Sequence, residues 1–191
     1  MEEMIRLRPY KQCDAKHILS WCEDEKTFLL WGGNHFGTFP ITEDIINYKY
    51  FHENGDCIEE DNFYPMTAFD DDGMVGHFIM RYLHGDHRIL RFGWVIVDSA
   101  KRGQKYGQRM LKTGLKYAFE ILQVDKVTIG VFENNVPAFL CYLACGFSKV
   151  EPTEPSSEVI QGEEWKIIEL EMTRDNYMRR MNADTCTQEK G

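Results

Sequence analysis

Hydrophobic and polar positions along the chain change period several times, and each change marks an element. Residues 4–9, Met-Ile-Arg-Leu-Arg-Pro, alternate in polarity and stop at Pro9, as a short first strand does. Asp14 can cap a helix over about 15–24, where Ile18, Leu19, Trp21 and Cys22 fall at helical spacing. Residues 27–40 are aromatic and glycine-rich and read as a structured loop. Thr42 opens a capping pattern for a helix carrying Ile45, Ile46, Tyr48, Lys49 and Phe51. An acidic loop over 53–62 follows. Tyr64–Phe69 and Met74–Leu83 read as strands joined at Asp70-Asp71-Asp72-Gly73, because Asp-Gly tolerates the positive φ of a tight turn.

The middle of the chain has a different rhythm. A turn at His84-Gly85-Asp86-His87 leads into a strand from about Ile89 to Val97. The helix expected from about Gln104 to Ile121 puts Gly107, Leu111, Leu115, Ala118 and Leu122 on one face. In the strand over 126–132, Val127, Ile129 and Val131 alternate with Thr128, Gly130 and Phe132. A short helix starts near Pro137, whose missing N–H costs little in a first turn, and Gly146 suits its left-handed end. Glu151 to Gly162 reads as a loop, Trp165 to Met172 as a last strand, and the chain is polar from about Asn182. Strand, helix, strand in the middle predicts a parallel pair with a right-handed crossover. The fold expected is α/β: a twisted mixed sheet of about seven strands with about four helices. One domain covers 1–181, followed by a polar tail over 182–191.

Composition narrows the function. The 191 residues fit one domain with a full core. A formal net charge of −9 argues against a general nucleic-acid binder and fits a cationic acceptor such as an amine. No apolar run is long enough to span a bilayer, and the first residues lack a signal-peptide pattern. The six cysteines form no Cys-x-x-Cys pair or regular framework, so reduced thiols in a cytoplasm are expected, with Cys141 and Cys145 as packing residues. His84 and His87 have metal-like spacing, but no third ligand completes a site and no metal is expected.

The segment Lys101-Arg102-Gly103-Gln104-Lys105-Tyr106-Gly107 opens the amphipathic helix. A glycine-bearing loop there presents unpaired N–H groups, which attract phosphate. By itself the loop fits a plain strand-to-helix turn with solvated lysines equally well. Further on stand Asn135, Ala138, Tyr142, Gly146 and Phe147, matching Asn-x-x-Ala-x-x-x-Tyr-x-x-x-Gly-Phe at every fixed position. Together the two segments resemble the GNAT superfamily of acyl-CoA-dependent N-acetyltransferases. The family loop is usually Gln/Arg-x-x-Gly-x-Gly/Ala, so Arg102 and Gly107 match while Lys105 stands where glycine is usual. The resemblance extends loosely over about residues 4 to 172. The aromatic segment and Ile-Arg-Leu-Arg-Pro look most like the branch acetylating ribosomal-protein N-termini.

The resemblance implies acetyl-CoA as co-substrate and two splayed central parallel strands. Val95, Ile96 and Val97 would offer backbone groups to the pantetheine arm. Arg102, Gly103, Gln104, Lys105, Tyr106 and Gly107 would hold the pyrophosphate, and Asn135 would touch the arm while capping its helix. Tyr142 would protonate the leaving thiolate, which a phenol can do; packing is its alternative role. Trp31 would line the acceptor pocket, or else belong to a lid or homodimer contact. The function implied is acetyl transfer to a primary amine of a small molecule or protein N-terminus, by direct attack in a ternary complex. The rival is a CoA-binding module without catalysis; a nucleotide-binding protein is a weaker one, since no Walker-type lysine pattern is present. Glu133 and Asp98 end the two central strands, but no general base stands out.

Overall fold

The computed structural model describes residues 4–151 and 154–188, the side chains of 184–188 excepted. Along the chain the elements are β1 (Arg6–Pro9), α1 (Ala15–Trp21), α2 (Glu25–Gly32), α3 (Glu43–Phe51), β2 (Tyr64–Phe69), β3 (Met74–Leu83) and β4 (Asp86–Val97). Then come α4 (Tyr106–Lys116), β5 (Lys126–Phe132), α5 (Val136–Cys145), β6 (Ser148–Val150), β7 (Ser157–Ile160), β8 (Glu163–Thr173) and α6 (Arg174–Gln188). The strands form one mixed sheet in the order β1-β2-β3-β4-β5-β8-β6, with β7 paired to β8. Among the described residues only β4 and β5 run parallel; the other pairs are antiparallel.

Alternation along the strands loads both faces of the sheet. Val127, Ile129 and Val131 of β5 join Phe78, Phe92, Met110, Leu111 and Leu115 in a core beneath α4 and α5. Phe132, Ile79 and Ile96 join Ile18, Trp21, Phe28 and Ile46 in a second core beneath α1, α2 and α3. Each helix thus buries one apolar stripe against a strand face, as period 3.6 on period 2 requires.

The expected elements are present, and several differ in extent. The segment read as a loop from 27 contains α2, capped by Asp24, whose Oδ1 accepts the Thr27 N–H at 2.7 Å. Its aromatic residues and closing glycines hid a helix only eight residues long. The helix expected to reach Ile121 changes to a π-helical turn at Tyr117–Ile121. The loop over 151–162 holds β7, which makes a hairpin with β8. The polar segment from Asn182 continues α6 to Gln188; 152–153 and 189–191 lie outside the described residues.

Two buried polar groups tie the N-terminal half together. Asp14 accepts hydrogen bonds from Arg8 at 2.6 and 2.9 Å, Thr67 at 2.7 Å and the Lys11 N–H at 2.9 Å. Burial opposes its charge, but these donors outweigh burial and hold its pKa down to about 2. His77 is fully buried and shares a 2.8 Å hydrogen bond with the Tyr50 hydroxyl. Burial pushes its pKa down to about 3.

Both groups have folded pKa values below their unfolded ones, so both make the unfolded state the better proton binder in acid. The His77 contribution is complete above about pH 6.5 and is lost on acidification towards pH 3; that of Asp14 follows below about pH 4. Urea midpoints measured from about pH 7.5 to about pH 4.5 should therefore fall, and His77→Gln should flatten the decline. An unchanged slope in that variant would remove His77 as its source.

Candidate active site

The site begins where the two parallel strands part. β4 and β5 pair only from Ile89–Lys126 to Phe92–Ile129. Beyond that point β5 stays with β8 as far as Phe132–Ile167, and β4 stays with β3 as far as Val97–Gly76. A bulge in β4 accompanies the divergence: two steps along β3, His77 to Ile79, face three along β4, Ile96 to Gly93. Trp94 in the bulge is left-handed, with φ 44°. Such a conformation costs about 1–2 kcal/mol for a residue with a side chain. The Trp94 carbonyl accepts the Trp31 indole N–H at 2.8 Å, and its ring lies parallel to Tyr50 at 5.9 Å and edge-on to Phe36 at 4.8 Å.

The open edge of β4 has a definite phase. The Asp98 N–H donates to the Val75 carbonyl at 3.0 Å. By two-residue alternation Ile96 also turns its backbone groups to β3, while Val95 and Val97 turn theirs into the wedge. Of the three expected β4 residues, all line the cavity beyond this edge; Val95 and Val97 turn their backbone groups to the wedge, where the Val97 carbonyl accepts from Arg102.

A cavity of about 510 Å³ runs from this edge to the start of α4 and along α5. Gly103, Lys105, Tyr106, Gly107, Asn135 and Tyr142 stand on its wall. Among the described residues the N–H groups of Gly103, Gln104, Lys105, Gly107 and Gln108 donate to no backbone or side-chain acceptor. Lys105 caps α4 at φ 64°, ψ 11°, so it keeps the left-handed conformation for which glycine is the easy choice. Its ammonium has no hydrogen bond or ion pair among the described residues. Gly107 permits close approach: a Cβ there would lie 3.3 Å from the Cys141 sulfur and 3.4 Å from the Val97 side chain.

Two loop side chains have partners within the protein. The Arg102 guanidinium gives one N–H to the Trp21 carbonyl at 2.6 Å and another to the Val97 carbonyl at 3.3 Å, and the residue lines the cavity. It is a strut between the end of α1 and the end of β4. The Gln104 amide bonds back to the Ala100 carbonyl at 2.9 Å and is not on the cavity wall. Lys101 is engaged as well, 2.7 Å from the buried carboxylate of Asp70. Of the loop's three cations, only Lys105 is uncommitted among the described residues.

Asn135 caps α5, its Oδ1 accepting the Ala138 N–H at 3.3 Å. About two turns further along that helix, Tyr142 is 5% exposed. Its hydroxyl makes no hydrogen bond among the described residues, and burial first, then the neighbouring Cys141 and Cys145, raise its pKa well above 10. The phenol is therefore held in its protonated form.

A second cavity of about 460 Å³ lies on the α2 side of the sheet. Leu30, Trp31, Val95, Asn135 and Tyr142 line both cavities, so the two meet at that group. Trp31 is 6% exposed and stacks on Phe36 at 4.6 Å, so it is a built-in wall. Also lining the second cavity are Arg81, Arg91, His35, Glu158 and Glu169, from β3, β4, the turn after α2, β7 and β8. His35 is hydrogen-bonded to Asp56 at 2.9 Å and is 3.9 Å from Glu158. The charged residues escaped sequence reading because no local pattern links positions so far apart. Of the two strand-end carboxylates, Asp98 caps the turn that follows it, accepting the Ala100 N–H at 3.0 Å.

Comparison with known proteins bears on this geometry. The model of the acetyltransferase (GNAT) domain family matches residues 5–148. The spermidine N(1)-acetyltransferase of Vibrio cholerae serotype O1 is 24% identical over 149 residues, covering 77% of this chain and 80% of that protein. The crystal structure of spermidine N-acetyltransferase from Vibrio cholerae with CoA and spermine superimposes with a TM-score of 0.73 at 19% identity, covering 92% of this chain and 98% of the other. The spermidine/spermine N-acetyltransferase from Vibrio cholerae with manganese ions gives 0.66 at 18% identity, covering 93% and 96%. The chain belongs to the GNAT acetyltransferase family. It is an acetyl-CoA-dependent N-acetyltransferase acting on amines.

Gly107→Asp should weaken CoA binding by about tenfold or more, because it sets a carboxylate against the helix start. Calorimetry on the folded variant checks this, and unchanged affinity would move the phosphate site elsewhere. Lys105→Gly should raise the melting temperature by about 2 °C by relieving the left-handed residue. It should weaken CoA binding only slightly, since one solvated cation is lost.

Proposed function

We propose that Tyr142 is the proton donor of the transfer and that the two cavities hold the two substrates at once. Acetyl-CoA supplies a thioester: a C–N bond forms to the acceptor amine as the C–S bond breaks. The unbonded N–H groups of Gly103, Gln104, Lys105, Gly107 and Gln108 would receive the pyrophosphate, and the backbone groups of Val95 with the Val97 N–H would receive the pantetheine arm. A backbone N–H on this edge polarises the carbonyl. The amine enters through the second cavity past Trp31, as the neutral base. Tyr142 gives its proton to the departing sulfur, and the amine releases its own to water.

The observation that supports this reading is the unpartnered Tyr142 hydroxyl at the junction of the cavities. A tyrosine kept only for packing has no reason to leave its hydroxyl unbonded at the meeting point of two substrate-sized spaces. Relatives acting on spermidine and the earlier expectation of a protein N-terminus both fit a primary amine, and the rest of the acceptor decides between them.

Tyr142→Phe keeps the ring and deletes the hydroxyl. It should lower kcat by roughly 10²–10⁴-fold with little change in CoA affinity. The loss should shrink for an acyl donor whose thiol leaves without protonation. Full kcat under conditions where chemistry limits the rate would reduce Tyr142 to packing.

A further inference from the structure

Arg81 is placed at a cost that the fold does not explain. On the sheet it stands directly across from Arg91, and like charges at opposed positions destabilise an antiparallel pair. Arg91 is neutralised: it holds Glu169 through two bonds of 2.7 and 2.9 Å. It reaches over Gly130, where a Cβ would lie 2.5 Å from its guanidinium. Arg81 has no carboxylate within salt-bridge distance among the described residues. Its only hydrogen bond there is a weak one from Nη1 to the Cys57 sulfur at 3.8 Å, and its buried Nε has no acceptor.

The acids that flank Cys57 in sequence, and Glu158 of the cavity, have other partners. Asp56 serves Lys49 at 2.8 Å and His35 at 2.9 Å, and Glu59 contacts Asn62 at 3.5 Å. Glu158, on the cavity wall, sits beside His35 and the Asn34 N–H. A half-buried guanidinium without a counter-ion, on the wall of the acceptor cavity, is a receptor for an oxyanion.

The geometry points to Arg81 as a specificity-determining residue that takes an anionic group, a carboxylate, carried by the acceptor amine. This rests on the reading of the second cavity as the acceptor site. The acceptor class is then an amino acid or short peptide with a free carboxylate, and a polycation meets an unfavourable charge there.

The test uses ω-amino acids from β-alanine to 6-aminohexanoate, each paired with its own amide, and spermidine beside them. Binding to the CoA-loaded protein is followed by tryptophan fluorescence, and turnover by thiol release. At least one acid should be favoured over its amide by about ten- to a hundredfold, the range of a charge-assisted hydrogen bond. Arg81→Gln should abolish that preference, improve spermidine and leave CoA affinity unchanged; Arg81→Lys should restore part of it. The melting temperature of Arg81→Gln should hold or rise, whereas a structural arginine would lower it. Equal handling of every acid and amide, or a preference that survives in Arg81→Gln, overturns the assignment. Fluorescence reports the preference even without turnover, so failure of the catalytic reading shows separately as the absence of thiol release with every amine.

Discussion

Everything at this site depends on two neighbouring strands not completing their ladder. Backbone N–H and C=O groups are normally paired in a sheet, and leaving them open inside a protein is expensive unless something polar arrives. Here the parallel ladder stops at Phe92–Ile129 although both strands continue. The bulge at Trp94 holds β4 away, and the aromatic packing of Trp31, Phe36, Tyr50 and Trp94 holds the bulge. The N-terminal helices thus do more than cover the sheet. Their rings over-determine a left-handed tryptophan, and so keep Val95 and the Val97 N–H facing the open wedge between the strands.

The cations of the loop illustrate how poorly charge counts predict binding. Lys101, Arg102 and Lys105 look equivalent in sequence. Lys101 neutralises a buried aspartate and Arg102 braces two element ends. What remains at the proposed phosphate site is mainly backbone, in a conformation that Lys105 adopts without glycine. Oriented N–H groups and a helix start carry no net charge, so they can serve an anion in a strongly acidic chain.

Much of this was legible in the sequence, for physical reasons. Strand alternation in 126–132 and helical spacing after Gly107 are local, and both reappear in the fold. The motif from Asn135 to Phe147 placed Tyr142 on its helix because caps and glycine ends are also local. The bulge at Trp94 was not legible, since it comes from tertiary packing that overrides backbone preference. Nor was the direction of the Arg102 side chain, which depends on a carbonyl 81 positions away. The helix at 25–32 was hidden because eight residues with an aromatic face give too short a period to read. The charged residues of the second cavity come from four strands and one turn, and no spacing rule connects them.

The two cavities share only Leu30, Trp31, Val95, Asn135 and Tyr142. Every other wall residue is private to one of them. Under the proposed reading, changes on β3, β7 or β8 therefore alter the acceptor side without touching the thioester side, and changes at the start of α4 do the reverse. Evolution, or an engineer, can retune what is acetylated while leaving how it is acetylated intact. The five shared positions are where a single replacement is answerable to both demands at once, and there adaptation should be slowest.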